Sequence, residues 1–163
     1  MHDLLNHIIS IRVASWWLIE LLIRLQFPEI QQLSTADLTK WLSDDSRPKP
    51  FLLDARTSEE YQVSHLRNAR LVPNNLKELV DEGINYATPI VVYCSVGYRS
   101  SAIARRLKSI GYQNLFNLSG SIFQWVNENR PVYCQGKQVT EVHPYQKFWQ
   151  HLLVDPQVVL SRE

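Results

Sequence analysis

The sequence predicts an α/β domain with a mainly parallel sheet, and three observations support this fold class. Short runs of β-branched and aromatic residues alternate along the chain with segments whose apolar residues recur at helical spacing. Helix-capping and chain-breaking residues, such as Ser34, Pro73 and Gly111, separate these segments. The 163 residues, 45% of them hydrophobic, are enough to enclose one substantial core.

Residues 1–29 are predicted to form an amphipathic helix that ends near Pro28. Its apolar face is wider than one docking contact needs, so it must pack on the domain, on a second copy of the chain or on a membrane surface. A membrane span is not expected, because Arg12, Glu20 and Arg24 interrupt the run of about 18 apolar residues that a span requires.

Trp16 and Trp17 would create a large apolar patch if this helix were exposed. We therefore expect the helix to pack across the domain or to form the contact of a homodimer. Asp3 lies where a signal peptide carries positive charge, and no small-residue cleavage site follows, so no secretory leader is expected.

The α/β domain is predicted to span residues 30–131. Its first half begins with a strand over Ile30–Leu33, after which Ser34 caps a helix that runs to about Leu42, with Asp37 as the partner of the cap. The later elements of this half are a strand over Phe51–Asp54, a short helix that Thr57 caps and that runs through Tyr61, a strand over Ala69–Val72 and a short helix around Leu79 that Gly83 ends.

The second half of the domain begins with Pro89–Tyr93, a short β-branched and aromatic run typical of a buried strand. A helix that Gly111 ends, a strand over Leu115–Leu118 and a helix that Pro131 ends follow it. Residues 132–163 have a weaker pattern and are predicted to be a C-terminal extension that packs on the domain. Within it, we expect residues 143–149 to fold back as hydrophobic cover, with a substrate lid as the alternative.

Cys94 follows the predicted strand Pro89–Tyr93 and precedes a predicted helix. The thiol therefore lies where unpaired backbone N–H groups and the positive end of the helix dipole converge. A cysteine in such a place ionises more easily than a free one, and Arg99 adds a fixed positive charge. We expect this loop to hold a thiolate and an anionic group attached to it.

The loop from Cys94 to Arg99 has six residues, so four residues separate the thiol from the guanidinium. Successive N–H groups in such a turn form an anion-binding nest, and Gly97 allows the backbone to bend. Phosphatase loops of this kind have five intervening residues, and the tighter ring here suits one extra sulfur atom better. Arg99 is expected to attract substrate and stabilise the thiolate, and the other predicted binding residues, acting mainly through backbone N–H groups, are Ser95, Val96, Gly97, Tyr98 and Ser100.

Several short motifs occur together between Leu33 and Pro131. They are Leu53-Asp54-Ala55-Arg56, Glu59-Glu60-Tyr61, His65-Leu66, Asn68-Ala69, Pro73, Val91-Val92-Tyr93-Cys94, Gly97-Tyr98-Arg99-Ser100 and Leu118-Ser119-Gly120-Ser121. In combination they resemble the rhodanese-homology domain. The resemblance implies a three-layer α/β/α fold with a five-stranded parallel sheet, and transfer of sulfane sulfur through a cysteine persulfide.

The resemblance is incomplete around one turn, where family members often carry glycine and proline and this chain has Ser64, Arg67 and Asn68. Asparagine tolerates a left-handed turn, so the fold is expected to survive. The predicted N-terminal helix also lies outside the minimal domain. Neither departure affects Cys94.

The expected function is that of a single-domain sulfurtransferase. Cys94 would take the outer sulfur of a small donor such as thiosulfate and pass it to a thiol or cyanide, by two-step covalent catalysis. No cofactor and no metal site is predicted. Two alternatives stay open: a phosphatase or arsenate reductase on the same fold, and a non-enzymatic interaction module in which the N-terminal helix recruits a partner.

Four other polar residues invite a functional interpretation. Asp54 could be a general base and His65 a catalytic acid, but a thiolate that its loop already ionises needs no base. We expect Asp54 to bond neighbouring backbone or Arg56, and Glu60 and His65 to be structural. Cys134 could resolve a persulfide, but it lies beyond the core pattern and is expected to be a packed or surface thiol.

Charge and cysteine content set further limits. The chain has 17 basic and 16 acidic residues and a net charge of +1, without a basic stripe, so nucleic acid is not an expected partner. Two cysteines make no disulfide framework, and a reducing cytoplasm is the expected location.

Overall fold

The computed structural model describes residues 2–154, with side chains from residue 11 onward. Its central sheet consists of β1 (Gln31–Leu33), β2 (Phe51–Asp54), β3 (Arg70–Leu71), β4 (Ile90–Tyr93) and β5 (Leu115–Leu118). The five strands are parallel and lie in the order β1-β5-β4-β2-β3. The predicted fold class is therefore confirmed.

Helices cover both faces of this sheet. They are α1 (His2–Gln26), α2 (Thr35–Ser43), α3 (Ser58–Val63), α4 (Glu78–Asp81), α5 (Tyr98–Ser109) and α6 (Ser121–Asn127). Residues of α2 and α6 belong to one buried cluster, and residues of α4 and α5 belong to the other. Strand β4 contributes Val91 and Tyr93 to the first cluster and Ile90 and Val92 to the second, as alternation along a strand requires.

The predicted capping residues begin two of the helices. Ser34 accepts a hydrogen bond from the backbone N–H of Asp37 at 3.0 Å, at the start of α2. Thr57 and Glu60 form a reciprocal capping box at the start of α3, which runs past Tyr61 to Val63. These local contacts fix where each helix begins, and they place Glu60 in the first turn of α3.

One predicted strand has different bounds in the structure, and one hairpin was not predicted. The strand expected over Ala69–Val72 is only Arg70–Leu71, because Ala69 closes a turn by donating to the carbonyl of Leu66. A hairpin of β6 (Val132–Cys134) and β7 (Lys137–Val139) was not predicted. Its two turn residues, Gln135 and Gly136, both have positive φ, and a glutamine there gives no turn signal in the sequence.

Helix α1 packs one side on the domain and leaves the other side open. Ile23 is buried beside α5, and Trp16 and Ile19 contact the core. Trp17 is 65% exposed. Five further apolar residues of the helix are each half exposed or more: Ile11, Val13, Leu18, Leu22 and Leu25. Among residues 2–154, none of the helices combines the length and the hydropathy that a bilayer span requires.

The described part of the C-terminal extension also contacts the domain. Val132, Val142, Leu152 and Leu153 are buried in the cluster that includes α2 and α6. A 3₁₀ helix over Lys147–Leu152 lies beside α1, where His151 approaches the hydroxyl of Ser15. The predicted extension continues to residue 163, and its last nine positions lie outside the described residues.

Candidate active site

Cys94 directly follows β4, the central strand, and its backbone is held by the start of α6. Its N–H donates to the hydroxyl of Ser121 at 3.1 Å, and its carbonyl accepts from the N–H of Ile122 at 3.2 Å. The thiol thus lies at the carboxyl end of a parallel sheet, where ligands of open α/β folds bind.

Two neighbours in the loop contact the sulfur. The backbone N–H of Gly97 donates to Cys94 Sγ at 3.1 Å, and the hydroxyl of Ser100 lies 3.5 Å from it. Burial alone raises the pKa of the thiol, but the charge of Arg99 and the hydrogen bonds from Ser100 and Gly97 outweigh it. The pKa of Cys94 is therefore lowered from its ordinary value.

A buried polar chain continues from the sulfur into the sheet. The hydroxyl of Ser100 donates to Asn117 Oδ1 at 2.6 Å, and Asn117 Nδ2 donates to Gln32 Oε1 at 2.7 Å. Ser100 and Asn117 are fully buried. Asn117 therefore fixes the hydroxyl that lies against Cys94. Sequence reasoning missed this residue, although a lone amide within the apolar strand Leu115–Leu118 was a signal.

Arg99 is held by Glu60 on α3. Its two terminal nitrogens donate to the two carboxylate oxygens of Glu60 at 2.7 and 2.8 Å. Ser95 joins them, accepting from Arg99 at 2.9 Å and donating to Glu60 at 3.1 Å. On its other side, the guanidinium carbon lies 4.2 Å from the ring centre of Tyr145.

Glu60 is ionised in this arrangement. Burial raises the pKa of its carboxyl, but hydrogen bonds from Arg99 and from the backbone of Thr57 outweigh burial and lower the pKa to about 2. The expectation that Glu60 ties its helix together holds through the capping box. Its contact with Arg99 was not foreseen, and it makes Glu60 part of the candidate site.

Helix α1 forms one wall of the site. The φ of Gly97 is +111°, and a Cβ there would lie 3.1 Å from Ile23 on α1 and 3.2 Å from Asn117. Tyr98 packs edge-on against Phe27 and donates its hydroxyl proton to Gln26 at 3.0 Å. The loop around Cys94 is thus in direct contact with the N-terminal segment.

A cavity of about 280 Å³ lies over the thiol. The loop contributes Cys94, Ser95, Val96, Tyr98 and Arg99 to its lining. Ile19 and Leu22 of α1, with Tyr145 and Trp149 of the extension, supply the rest of a mostly apolar wall. Cys94 is only 1% exposed, so a molecule in this cavity lies beside a nearly buried sulfur.

The structure brings together all seven site residues predicted from the sequence and adds Glu60 to them, but it places Asp54, His65 and Cys134 elsewhere. The carboxylate of Asp54 forms a buried ion pair with Arg56, as expected. His65 stacks on Tyr61 at 4.0 Å. Cys134 donates to a backbone carbonyl and lines a different cavity, so the two thiols share no site.

Comparison with known proteins identifies relatives of this arrangement. The model of the rhodanese-like domain family matches residues 34–128. An adenylyltransferase and sulfurtransferase, uba4 of Ogataea parapolymorpha, is 36% identical over 88 residues, which are 52% of this chain and 23% of that protein. The thiosulfate sulfurtransferase GlpE of Tolumonas auensis is 28% identical over 78 residues, 48% of this chain and 74% of that protein.

A solved structure shows the same fold. The polysulfide-sulfur transferase homodimer of Wolinella succinogenes matches with a TM-score of 0.56 and 21% identity, over 71% of this chain and 87% of that one. The curated relatives matched first are much longer proteins, and the match spans about a quarter of their length. Helix α1 and the C-terminal extension lie outside the region that the family model matches.

Proposed function

This chain belongs to the rhodanese-like domain family, and from that premise we propose that it is a sulfurtransferase that carries sulfane sulfur as a persulfide on Cys94. The observation that supports the proposal most is the environment of the thiol. It lies at a strand end, its pKa is lowered, and the N–H of Gly97 donates to it. A thiolate prepared in this way is a nucleophile that needs no general base.

The proposed reaction has two steps. In the first, Cys94 thiolate attacks the outer sulfur of a donor such as thiosulfate; a bond forms between Sγ and that sulfur, the donor's S–S bond breaks, and sulfite leaves with the electron pair. In the second, a thiolate or cyanide attacks the outer sulfur of the persulfide, and Cys94 leaves as a thiolate. The backbone N–H groups of Gly97 and Ser100 stabilise the charge on Sγ at both stages.

Mass spectrometry tests this function directly. After incubation with thiosulfate, the intact protein should gain one sulfur atom, and peptide mapping should place it on Cys94. The adduct and sulfur transfer to cyanide should both disappear in Cys94→Ser. Both should persist in the control Cys134→Ser, because Cys134 lines a different cavity from Cys94. Transfer that continues at the same rate in Cys94→Ser would contradict the proposal.

The same preparation distinguishes the two alternatives. Turnover of a generic aryl phosphate by the wild-type protein would indicate a phosphatase, which the short interval of four residues between Cys94 and Arg99 disfavours. A Cys94 that neither loads sulfur nor reacts with iodoacetamide at neutral pH would indicate an interaction module. Rapid alkylation of Cys94 is expected, because its pKa is lowered.

The proposal also includes a cellular location and an oligomeric state. Both described cysteines are free thiols, which suits a reducing compartment, and we propose the cytoplasm.

We also propose that the chain forms a homodimer through α1. Ile11, Leu18 and Leu25 recur every seven residues on its exposed side, which is the spacing of paired helices.

A further inference from the structure

The cavity over Cys94 has a mostly apolar wall, which the binding of a small anion does not require. Its wall is formed largely by Ile19, Leu22, Tyr145 and Trp149. All four residues lie outside residues 34–128, the region that the family model matches. The apolar wall is therefore supplied by this chain's own terminal segments.

Charge in the cavity leads to the same conclusion. Of the described residues that line it, only Arg99 carries a positive charge, and both oxygens of Glu60 already pair with that guanidinium. Tyr145 covers a face of the guanidinium as well. A small multivalent anion that enters must lose water without gaining an unpaired cation, which is costly in an apolar site. An apolar group that enters gains the free energy of burial instead.

We propose that the sulfur acceptor at this site is a thiol borne on an apolar group, and that its hydropersulfide is the product. The inference rests on the proposed persulfide at Cys94 and adds the class of acceptor. A volume of about 280 Å³ lies at the lower end of ligand pockets and suits a single ring or a short alkyl chain.

The transfer balances without a further reactant. The acceptor thiolate attacks the outer sulfur of the Cys94 persulfide, and a new S–S bond forms between these two atoms. The bond between Sγ and the outer sulfur breaks, and its electron pair leaves on Cys94 as a thiolate. The outer sulfur arrives as an anion and takes one proton from water, so the products are a hydropersulfide and the free Cys94 thiolate.

The experiment compares two uncharged thiols on protein that is already loaded. Cys94 is converted to the persulfide with inorganic polysulfide, excess reagent is removed, and the rate of discharge is measured with phenylmethanethiol and with 2-mercaptoethanol. The measured quantity is the ratio of the two second-order rate constants. Each protein variant is compared with wild type by this ratio, which cancels the intrinsic reactivity of the thiols.

Leu22 provides the variants, because its side chain lines the cavity and is half exposed, so its replacement leaves the core intact. Leu22→Ser should lower the ratio about tenfold, since the ring loses part of its apolar contact. Leu22→Lys should lower it further and should favour 3-mercaptopropionate. Val13→Ser is the matched control, because Val13 is an exposed residue of the same helix that does not line this cavity.

The outcomes separate the two proposals. A ratio that falls in both Leu22 variants and not in Val13→Ser supports the apolar acceptor. A persulfide that forms on Cys94 and discharges with the same ratio in wild type and both Leu22 variants overturns the acceptor class and leaves the sulfurtransferase standing. Failure of Cys94 to load from polysulfide or thiosulfate overturns the proposed function itself, and the inference with it.

Discussion

Glu60 connects the fold of this protein to the chemistry of its candidate site. Its backbone and one oxygen complete the cap of α3, while both oxygens hold Arg99 beside the loop of Cys94. The side chain is almost completely buried. A buried carboxylate with these partners stabilises the folded protein only while it is ionised.

We therefore predict an acid-dependent loss of stability that originates at Glu60. Its pKa is about 2 in the folded protein against an ordinary 4.5, so its contribution is complete above about pH 4.5 and is lost as the pH falls toward 2. The full contribution is about 3 kcal/mol. Denaturant unfolding between pH 6 and pH 2.5 should show a flatter decline of unfolding free energy in Glu60→Gln than in wild type.

The control for this prediction is Glu20→Gln, which changes an exposed carboxyl on α1 and should keep the wild-type pH profile. Glu60→Gln should also be less stable than wild type at neutral pH, because Arg99 loses its buried counter-charge. Parallel pH profiles for wild type and Glu60→Gln would show that this pair does not govern acid stability.

The residues of the site differ in how far the sequence could predict them. Cys94 and its loop were predictable, because a strand, a short turn and a helix start are consecutive in the chain. Glu60 and Asn117 approach the loop from positions 39 and 17 residues away, respectively, from their loop partners, Arg99 and Ser100. Those contacts depend on the three-dimensional arrangement of α3 and β5, which no local pattern encodes.

At the level of elements, the close packing of α1 on the Cys94 loop depends on Gly97. Its φ of +111° is a conformation that favours glycine, and it leaves room for Ile23 and Asn117 to approach. The position therefore combines a backbone requirement with a steric one. The two requirements can be separated, because Gly136 has a positive φ of +77° with nothing within 4 Å of its would-be Cβ.

We predict that Gly97→Ala is more destabilising than Gly136→Ala. Each substitution places a Cβ in the left-handed region, at a cost of about 1–2 kcal/mol. Gly97→Ala must in addition displace Ile23 or Asn117, so its loss of unfolding free energy should be larger by about 1 kcal/mol or more. Chemical denaturation of both variants measures the difference.

Sulfur loading of the same two proteins gives a second readout. Gly97→Ala should load Cys94 more slowly, since the N–H that donates to Sγ belongs to the altered residue. Gly136→Ala should load at the wild-type rate. Equal stability losses in the two variants would show that α1 does not press on the loop as closely as the packing indicates.

Elements with strong local signals were predictable, and those that depend on tertiary pairing were not. The caps at Ser34 and Thr57 appear in the sequence as polar residues before apolar helical patterns, and both were found. Strand β3 is two residues long because Ala69 is held in a turn with Leu66, and the strand pairs only with β2 at the edge of the sheet. The hairpin of β6 and β7 turns at Gln135, where glutamine gives no warning of a positive φ.

At the level of the whole molecule, the two terminal segments converge on the mouth of the site. Helix α1 and the 3₁₀ helix contact each other beside the carboxyl end of the sheet, and both line the cavity over Cys94. The sequence predicted a helix and a covering extension but not this convergence, since neither segment carries a signal for its partner. One side of α1 contacts the domain and lines the cavity, and the opposite side is apolar and exposed.

The open side supports the last prediction, that the chain pairs through α1. Ile11, Leu18 and Leu25 fall on one line of the helix at about 100° per residue, whereas Val13 and Trp17 lie on another side. Replacing Leu18 and Leu25 with glutamate places charges within a paired interface and should convert a dimer to a monomer in light scattering at micromolar concentration. The double variant should keep its sulfur-loading rate, because neither residue lines the cavity over Cys94.

The matched control adds the same charges to the other side of the helix, as Val13→Glu with Trp17→Glu, and should remain dimeric. A wild-type protein that is monomeric at these concentrations would refute the pairing. If that monomer bound phospholipid vesicles and the Leu18 and Leu25 variant did not, the face would belong to a membrane surface instead. Dimerisation that survives glutamate at both leucines would place the interface elsewhere, because two like charges facing their symmetry mates cannot be buried without a compensating cation.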